Sequence, residues 1–523
     1  MKFNKYIACG MMTLVAFAGT SCVDDLNMEP NDPNTKLELT TQEEWDGYLA
    51  RIYWNFLDDT SDLVVTSDGG AGSFTRSHFN LQEVTADECI ISQKWNDPGY
   101  NTLNFNTWSN NNEWVYAAFS REFFMAKMCS EYIRDMKERG AAFYTEEEVT
   151  ARIAESRLIR AYAYWCMIDL FGRGPWIDEN SVTGAIPPTY DRQQLFDAVV
   201  ADLKAALPDV RPAAQQDYGR VCREAGYMLL AKLYLNAEVY TGTAMWSECA
   251  AACKQVLSTG LELAPEYKYL FCASNDRYVA SKEMTGNYGE ILWAVPQLQG
   301  RYTTWGGTTY LTCAAWVESV PADVLTRLNS GDTPWSGIRL RPELSKALKG
   351  DNRRLIYEGT FQEELTDLAS YDKNSCGYML IKYTNTTEED YFNEAGDNNN
   401  GTAMSNTDYP LFRLADTYLM LAECQLHGVE CDGLNYLNKV RARSGMDPIA
   451  GLSDQAILHE RMVELYMEGH RRQDLIRFGK YTGDSYVWSW KGGVMEGASI
   501  ESFRNLYNIP YQYTATVGQN PGY

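Results

Sequence analysis

From Arg220 to Ala237 the chain places Ala225, Met228, Leu229, Leu230, Ala231, Leu233 and Tyr234 at helical spacing, and Trp246 to Thr259 answers with Trp246, Ala250 and Ala251. Apolar residues recurring at i, i+3, i+4 and i+7 specify an amphipathic helix. Small residues let a neighbouring helix approach closely while aromatics fill the groove between pairs, so this alternation specifies a helical hairpin of the kind that stacks into repeats. The same periodicity runs through Gln42 to Phe56, Glu113 to Lys137, Glu146 to Phe171, Gln193 to Leu207, Leu411 to Gln425, Gly433 to Ser444 and Asp454 to Tyr466. Gly172, with Gly174-Pro175 beyond, stops one of these helices. The expected fold is mainly α, a scaffold of TPR-like helix pairs around 113–171, 193–259 and 411–466.

Between the pairs lie long segments, about 60–112 and 272–406, rich in Gly, Asn, Ser, Trp and Tyr and without sustained helical period. Irregular segments held by a rigid scaffold commonly carry recognition, so the ligand site is expected there. Residues 41–523 read as one domain.

The beginning of the chain has another character. Lys2 and Lys5 precede an apolar run, Ile7 to Ala18, and the small residues Gly19-Thr20-Ser21 lead to Cys22. The run falls short of the roughly 20 residues a bilayer span needs. The pattern resembles a bacterial lipoprotein signal peptide over 1–21, with Cys22 as the lipidated residue and 22–40 as an Asp-, Asn- and Pro-rich tether. Val23-Asp24-Asp25 resembles the acidic surface-export signal of Bacteroidetes lipoproteins, which implies an outer-membrane, lipid-anchored, cell-surface location.

Charge narrows the ligand. A formal net charge of −24 over 523 residues repels nucleic acid and anionic sugars and leaves a neutral ligand. The 13 cysteines are scattered without a CxxC pair, and Cys166, Cys253 and Cys424 read as small core residues. His470 stands near Glu468 outside any HExxH spacing, and His78, His427 and His459 have no companion ligand in sequence. No catalytic residue, metal or cofactor is expected.

A neutral oligosaccharide presents apolar C–H faces and dense hydroxyl edges, so its receptor needs flat aromatics and planar multidentate polar groups. The first irregular segment contains Asp68, Arg76, Trp95 and Asn96, and the second contains Tyr302, Trp305 and Trp335 beside Gly306-Gly307.

Five collinear passages carry a family resemblance: Ala154-Glu155-Ser156-Arg157-Leu158-Ile159-Arg160-Ala161-Tyr162 with Asp169-Leu170-Phe171-Gly172; Phe412-Arg413-Leu414-Ala415-Asp416-Thr417-Tyr418; Leu437 to Gly445; Glu464-x-x-x-Glu468-Gly469-His470-Arg471; and Gln519-Asn520-Pro521-Gly522-Tyr523. They resemble the SusD/RagB family of surface glycan-binding lipoproteins, partners of SusC-type TonB-dependent outer-membrane transporters. Phe74-x-Arg76, Asp87-Glu88-Cys89, Gly306-Gly307-x-Thr309-Tyr310-Leu311 and Trp488-x-Trp490-Lys491-Gly492-Gly493 are similar to a starch-binding member of that family. The resemblance implies that Asp68, Arg76 and Asn96 hold sugar hydroxyls and that Trp335 and Trp305, the latter replacing a tyrosine, supply two aromatics of a ligand-cradling arc. The third aromatic falls on Gln93, and Trp95, two positions on, stands in for it. Asp276 and Asp408 echo part of a calcium site in that relative.

The implied function is non-catalytic capture of an α-glucan, starch or maltooligosaccharide, for a SusC-like transporter. The residues leave open a surface glycoside hydrolase, for which Asp68, Asp87 and Glu88 are the nearest carboxylates to the aromatic segments, and a protein-binding helical adaptor. Binding of a different glycan or of a dextran-type α-1,6-glucan also stays open.

Overall fold

The computed structural model describes residues 39–59, 64, 70, 72–92, 97–317, 320–328, 334–368, 376–391 and 404–523. The leader and Cys22 lie outside them. The chain divides into two units, Met1–Gly47 and Tyr48–Tyr523. In the first, the Thr40 and Thr41 amides donate to the Glu44 carboxylate at 2.6 and 3.0 Å, which caps the start of helix α1 (Gln42–Trp54).

The second unit contains a short helix α2 (Phe74–Phe79) that runs into a π-helical turn at Asn80–Val84, followed by a short strand β1 (Cys89–Ile91). Two long helices come next, α3 (Glu113–Arg139) and α4 (Glu146–Leu170), packed as a hairpin. Asn112 starts α3 by accepting from the Trp114 and Val115 amides at 3.0 and 3.2 Å. Thr145 starts α4 by accepting from the Glu148 amide, with Glu146, Glu147 and Glu148 set against the positive helix end. Helix α5 (Arg192–Ala206) opens on a reciprocal Asp191–Gln194 capping box and packs on α4. The hairpin of α6 (Arg223–Leu235) and α7 (Trp246–Leu257) follows.

Strand β2 (Ile291–Val295), helix α8 (Thr308–Cys313) and strand β3 (Ile338–Leu340) belong to the second irregular segment. Strand β4 (Tyr409–Arg413) leads into α9 (Leu414–Leu426), which packs on α10 (Gly433–Arg443), on α7 and on α11 (Asp454–Leu465). Helix α12 (Arg471–Arg477) completes the scaffold. The strands form isolated antiparallel pairs, β1 with β3 and β2 with β4. The architecture is mainly helical, as the periodicity indicates.

Close approach is achieved by glycine as well as alanine. A Cβ on Gly226 of α6 would stand 2.7 Å from Leu158 of α4, and one on Gly433 of α10 would stand 2.3 Å from the Leu421 carbonyl of α9. The second contact is with backbone, so α10 can sit at that depth only with hydrogen at this position.

One expectation needs correction at its boundary. The helix expected from Leu411 begins at Leu414, because Leu411, Phe412 and Arg413 belong to β4, which pairs with β2 through Phe412 and Arg413. The extended backbone of β4 carries Arg413 into the core. There Arg413 pairs with Glu290, Glu464 and Glu468 at 2.6 to 2.9 Å. Glu464 also pairs with Arg353 and Arg443, and the side chains of all six residues are buried. Burial pushes the Glu464 carboxyl up, but Arg443, Arg413 and Arg353 outweigh it and hold the group at about 2. The charged residues of the family-like passages thus tie β4, α10 and α11 together.

His470 belongs to this structural set, with its amide on Glu83 and its ring beside Lys232. Trp488 is buried beside Ala86, Leu475 and Tyr481, and Lys491 lies over its ring while donating to the Tyr486 carbonyl. Both serve packing of the C-terminal segment. The described cysteines are free thiols, and Cys166, Cys253 and Cys424 are buried.

Candidate functional site

Helix α8 has six residues, and a tryptophan is fixed near each of its ends. Before its start, the Trp305 amide donates to Asp59 at 3.0 Å, and the Thr304 hydroxyl donates to the Leu57 carbonyl at 2.8 Å. At its other end, the Trp335 amide donates to the carbonyl of Cys313, its last residue, at 2.9 Å. Ser336 then turns the chain with φ +60° and donates its amide to the Trp316 carbonyl. Gly337 accepts from the Ser92 amide at 2.7 Å, extending the β1–β3 pairing.

These anchors bring the two indoles together. Their ring centroids are 5.7 Å apart and the planes are inclined by 52°. Trp305 is 37% exposed and Trp335 is half-buried, so the pair presents an angled aromatic surface to solvent. Van der Waals contact with apolar C–H faces needs flat, accessible and rigid rings of this kind.

Arg76 lies directly behind. Its guanidinium is sandwiched between the Tyr310 and Trp114 rings at 4.5 and 4.9 Å, donates to the Tyr100 hydroxyl at 3.2 Å and pairs with Asp97 at 3.1 Å. It is 2% exposed, so its charge is committed to protein partners. Gly70 joins the two parts of the site. A Cβ at this position, where φ is +86°, would stand 3.0 Å from the backbone of Trp305 and Gly306 and 3.1 Å from Arg76. Ser73, which caps α2 by accepting from the Arg76 amide, also donates to the Gly306 carbonyl.

Of the residues singled out in sequence, Arg76, Trp305 and Trp335 are brought together. Asp68, Gln93, Trp95 and Asn96 lie outside the described residues; Ser92 and Asp97, which flank the last three, are anchored to Gly337 and Arg76. Sequence reasoning missed Asp59, Gly70, Asp97 and the Tyr100–Trp114–Tyr310 cage. Asp97, adjacent to Asn96, and Tyr310, inside the Gly306–Leu311 passage, carried some signal; the others become meaningful through contacts between distant segments. Burial pushes the Asp59 carboxyl up, while the Trp305 amide works against that shift.

Asp408 lies beneath the same segment. It accepts from the Tyr218 hydroxyl at 2.6 Å and the Gln297 amide at 2.8 Å, and the preceding Thr407 carbonyl accepts from Thr308 at the start of α8. Burial pushes its carboxyl up to about 7 against those hydrogen bonds, with a further rise from Asp276. A separate polar cleft of 470 Å³ is lined by Glu146, Glu147, Arg211 and Arg223 among others, with no aromatic among the described residues that line it.

The SusD family model matches residues 328–521, a span that contains the buried ion-pair motifs and Trp335. Over 100% of this chain and 99% of its own length, the starch-binding protein SusD of Bacteroides thetaiotaomicron is 28% identical. The chain is thus similar to the SusD family over its C-terminal part and to one starch-binding relative over its whole length. Solved SusD-family structures have the same fold. A SusD superfamily protein from Parabacteroides distasonis matches with a TM-score of 0.70 and 19% identity, covering 93% of this chain and 100% of the other. Surface glycan-binding protein A from Bacteroides thetaiotaomicron, solved with laminarihexaose, matches with a TM-score of 0.67 and 18% identity, covering 92% and 100%. Among the described residues, no helix is long and apolar enough to cross a membrane.

Proposed function

We propose that this protein is a SusD-family, non-catalytic receptor that captures a neutral α-glucan, starch or a maltooligosaccharide, and passes it to a SusC-like TonB-dependent outer-membrane transporter. The observation that carries the reading is the exposed Trp305–Trp335 platform, 5.7 Å between centroids and inclined by 52°. An angled pair of rings matches successive sugar faces of a chain that curves, and a ligand already curved loses less conformational freedom on binding. The full-length similarity to a starch-binding relative supports the glucan.

In this reading Trp95 extends the platform and Asp68 and Asn96 hold hydroxyls; Arg76, expected from the resemblance to hold hydroxyls too, is buried on protein partners and instead supports the adjacent chain. Residues 1–21 are a lipoprotein signal peptide, Cys22 carries the lipid at the cell surface, and 22–40 tether the 41–523 domain. Alanine at Cys22 is expected to spare glycan binding in solution and abolish surface retention.

The test is incubation of the purified chain with maltoheptaose, isomaltoheptaose and laminarihexaose in separate arms, measuring binding and analysing products. Binding of maltoheptaose with no change in chain length supports the proposal. Turnover would make the protein a glycosidase, and preference for either other sugar would reassign the linkage.

A further inference from the structure

His78 of α2, Glu122 of α3 and Cys166 of α4 come from three different helices and meet in the interior. One nitrogen, one carboxylate oxygen and one sulfur from these residues all lie within 4.8 Å of one another. Glu122 is 1% exposed, His78 8% and Cys166 0%. Both Glu122 carboxylate oxygens and His78 Nδ1 are buried without a hydrogen-bond partner among the described residues. Buried polar side-chain atoms are satisfied in the large majority of cases, and an unpaired carboxylate in a protein interior is among the costliest exceptions. Burial and then Asp169 push the Glu122 carboxyl up.

We propose that His78, Glu122 and Cys166 form a binding site for one divalent transition cation of the Zn²⁺ type, held through an imidazole nitrogen, a carboxylate oxygen and a thiolate sulfur. These donor types suit a borderline-soft cation far better than Mg²⁺ or Ca²⁺, which take oxygen ligands. Zinc bond lengths of about 2.0–2.3 Å place tetrahedral ligands about 3.3–3.8 Å apart. The three donors therefore need to close by at most about 1–1.5 Å, within reach of side-chain rotation. Three protein ligands leave the fourth position for water.

Charge balance favours the same occupant. Binding transfers one proton from the Cys166 thiol and one from the Glu122 carboxyl to solvent, with His78 neutral. A divalent cation, a thiolate, a carboxylate and a neutral imidazole sum to zero charge, so the loaded site suits the core better than a bare carboxylate. The surroundings fix one ligand directly: the Phe74 ring stacks on His78 with centroids 5.9 Å apart. In sequence His78 has no companion because its partners sit on other helices, and helix pairing supplies them.

The test uses the full chain, unfolded in chelator, refolded with Co²⁺ and compared with metal analysis of protein isolated from zinc-supplemented cells. The expected result is one equivalent of zinc as isolated and one of cobalt after refolding, with a near-ultraviolet thiolate-to-cobalt charge-transfer band that Zn²⁺ displaces. Cys166→Ala should abolish the band, and Glu122→Gln should weaken metal binding at least tenfold with an unchanged circular dichroism spectrum. Protein isolated without zinc that also refolds without taking up cobalt, a cobalt complex with no thiolate band, or a band that survives Cys166→Ala would each overturn the site. The spectrum of the unsubstituted chain decides the matter even where a variant does not fold.

Discussion

The indoles of Trp305 and Trp335 stand 5.7 Å apart at 52° because α8 holds the chain on either side of it: Trp305 is tied to Asp59 and Trp335 to the Cys313 carbonyl. The platform is therefore set by backbone hydrogen bonds, and each ring can be removed without dismantling the scaffold. Alanine at Trp335 is expected to weaken maltoheptaose binding about tenfold or more, a loss of about 1.4 kcal/mol or above. Circular dichroism should be unchanged. Tryptophan-fluorescence titration measures the loss.

Gly70 controls the position of Trp305 from the opposite side. Gly70→Ala forces a Cβ against Trp305 and Gly306 backbone at 3.0 Å, at a φ of +86° that alanine resists. The expected cost is roughly 1–3 kcal/mol of stability. Glucan affinity should fall although no ligand-contacting side chain has changed, so denaturant melts and ligand titrations on one preparation check both effects. Unchanged affinity would mean that the platform does not depend on this contact.

Helical periodicity made the scaffold legible because α3, α4, α6, α7 and α9 to α11 bury continuous faces that the sequence writes at i, i+3 and i+4. The boundary at Leu411 was not legible, since the β2–β4 pairing that claims it joins segments far apart in the chain. In the site, aromatic residue types and family resemblance identified Trp305, Trp335 and Arg76. They could not show that Arg76 is caged by Tyr310 and Trp114, or that Asp59 and Gly70 fix Trp305. Those facts depend on which loops meet.

Asp408 gives the protein a characteristic pH dependence. Its carboxyl is raised to about 7 in the folded state, against about 3.9 unfolded, so the folded state binds the additional proton between these values. The stability linked to that proton is full below about pH 4 and is lost as pH rises towards 7. Asp408→Asn removes the titration while preserving an acceptor for Gln297. Its Tm at pH 7 is expected to exceed that of the unsubstituted chain, and the difference should shrink towards pH 4. Melts at matched ionic strength across this range measure it.

The ion-pair core should respond far more severely than the platform. Glu464→Ala leaves Arg353, Arg413 and Arg443 without a shared carboxylate in a buried setting. Breaking a buried pair from one side costs about 3–5 kcal/mol. Denaturant unfolding should show that loss, whereas Trp305→Ala, at a site 37% exposed, should stay close to the unsubstituted chain.

Calorimetric titration of maltoheptaose into the purified protein and its Trp305→Ala variant tests the central claim most directly. The platform account expects saturable one-site binding by the unsubstituted chain, and an affinity at least tenfold weaker in a variant with the same circular dichroism spectrum. Equal affinities in the two proteins, or no heat of binding from the unsubstituted chain, would contradict it.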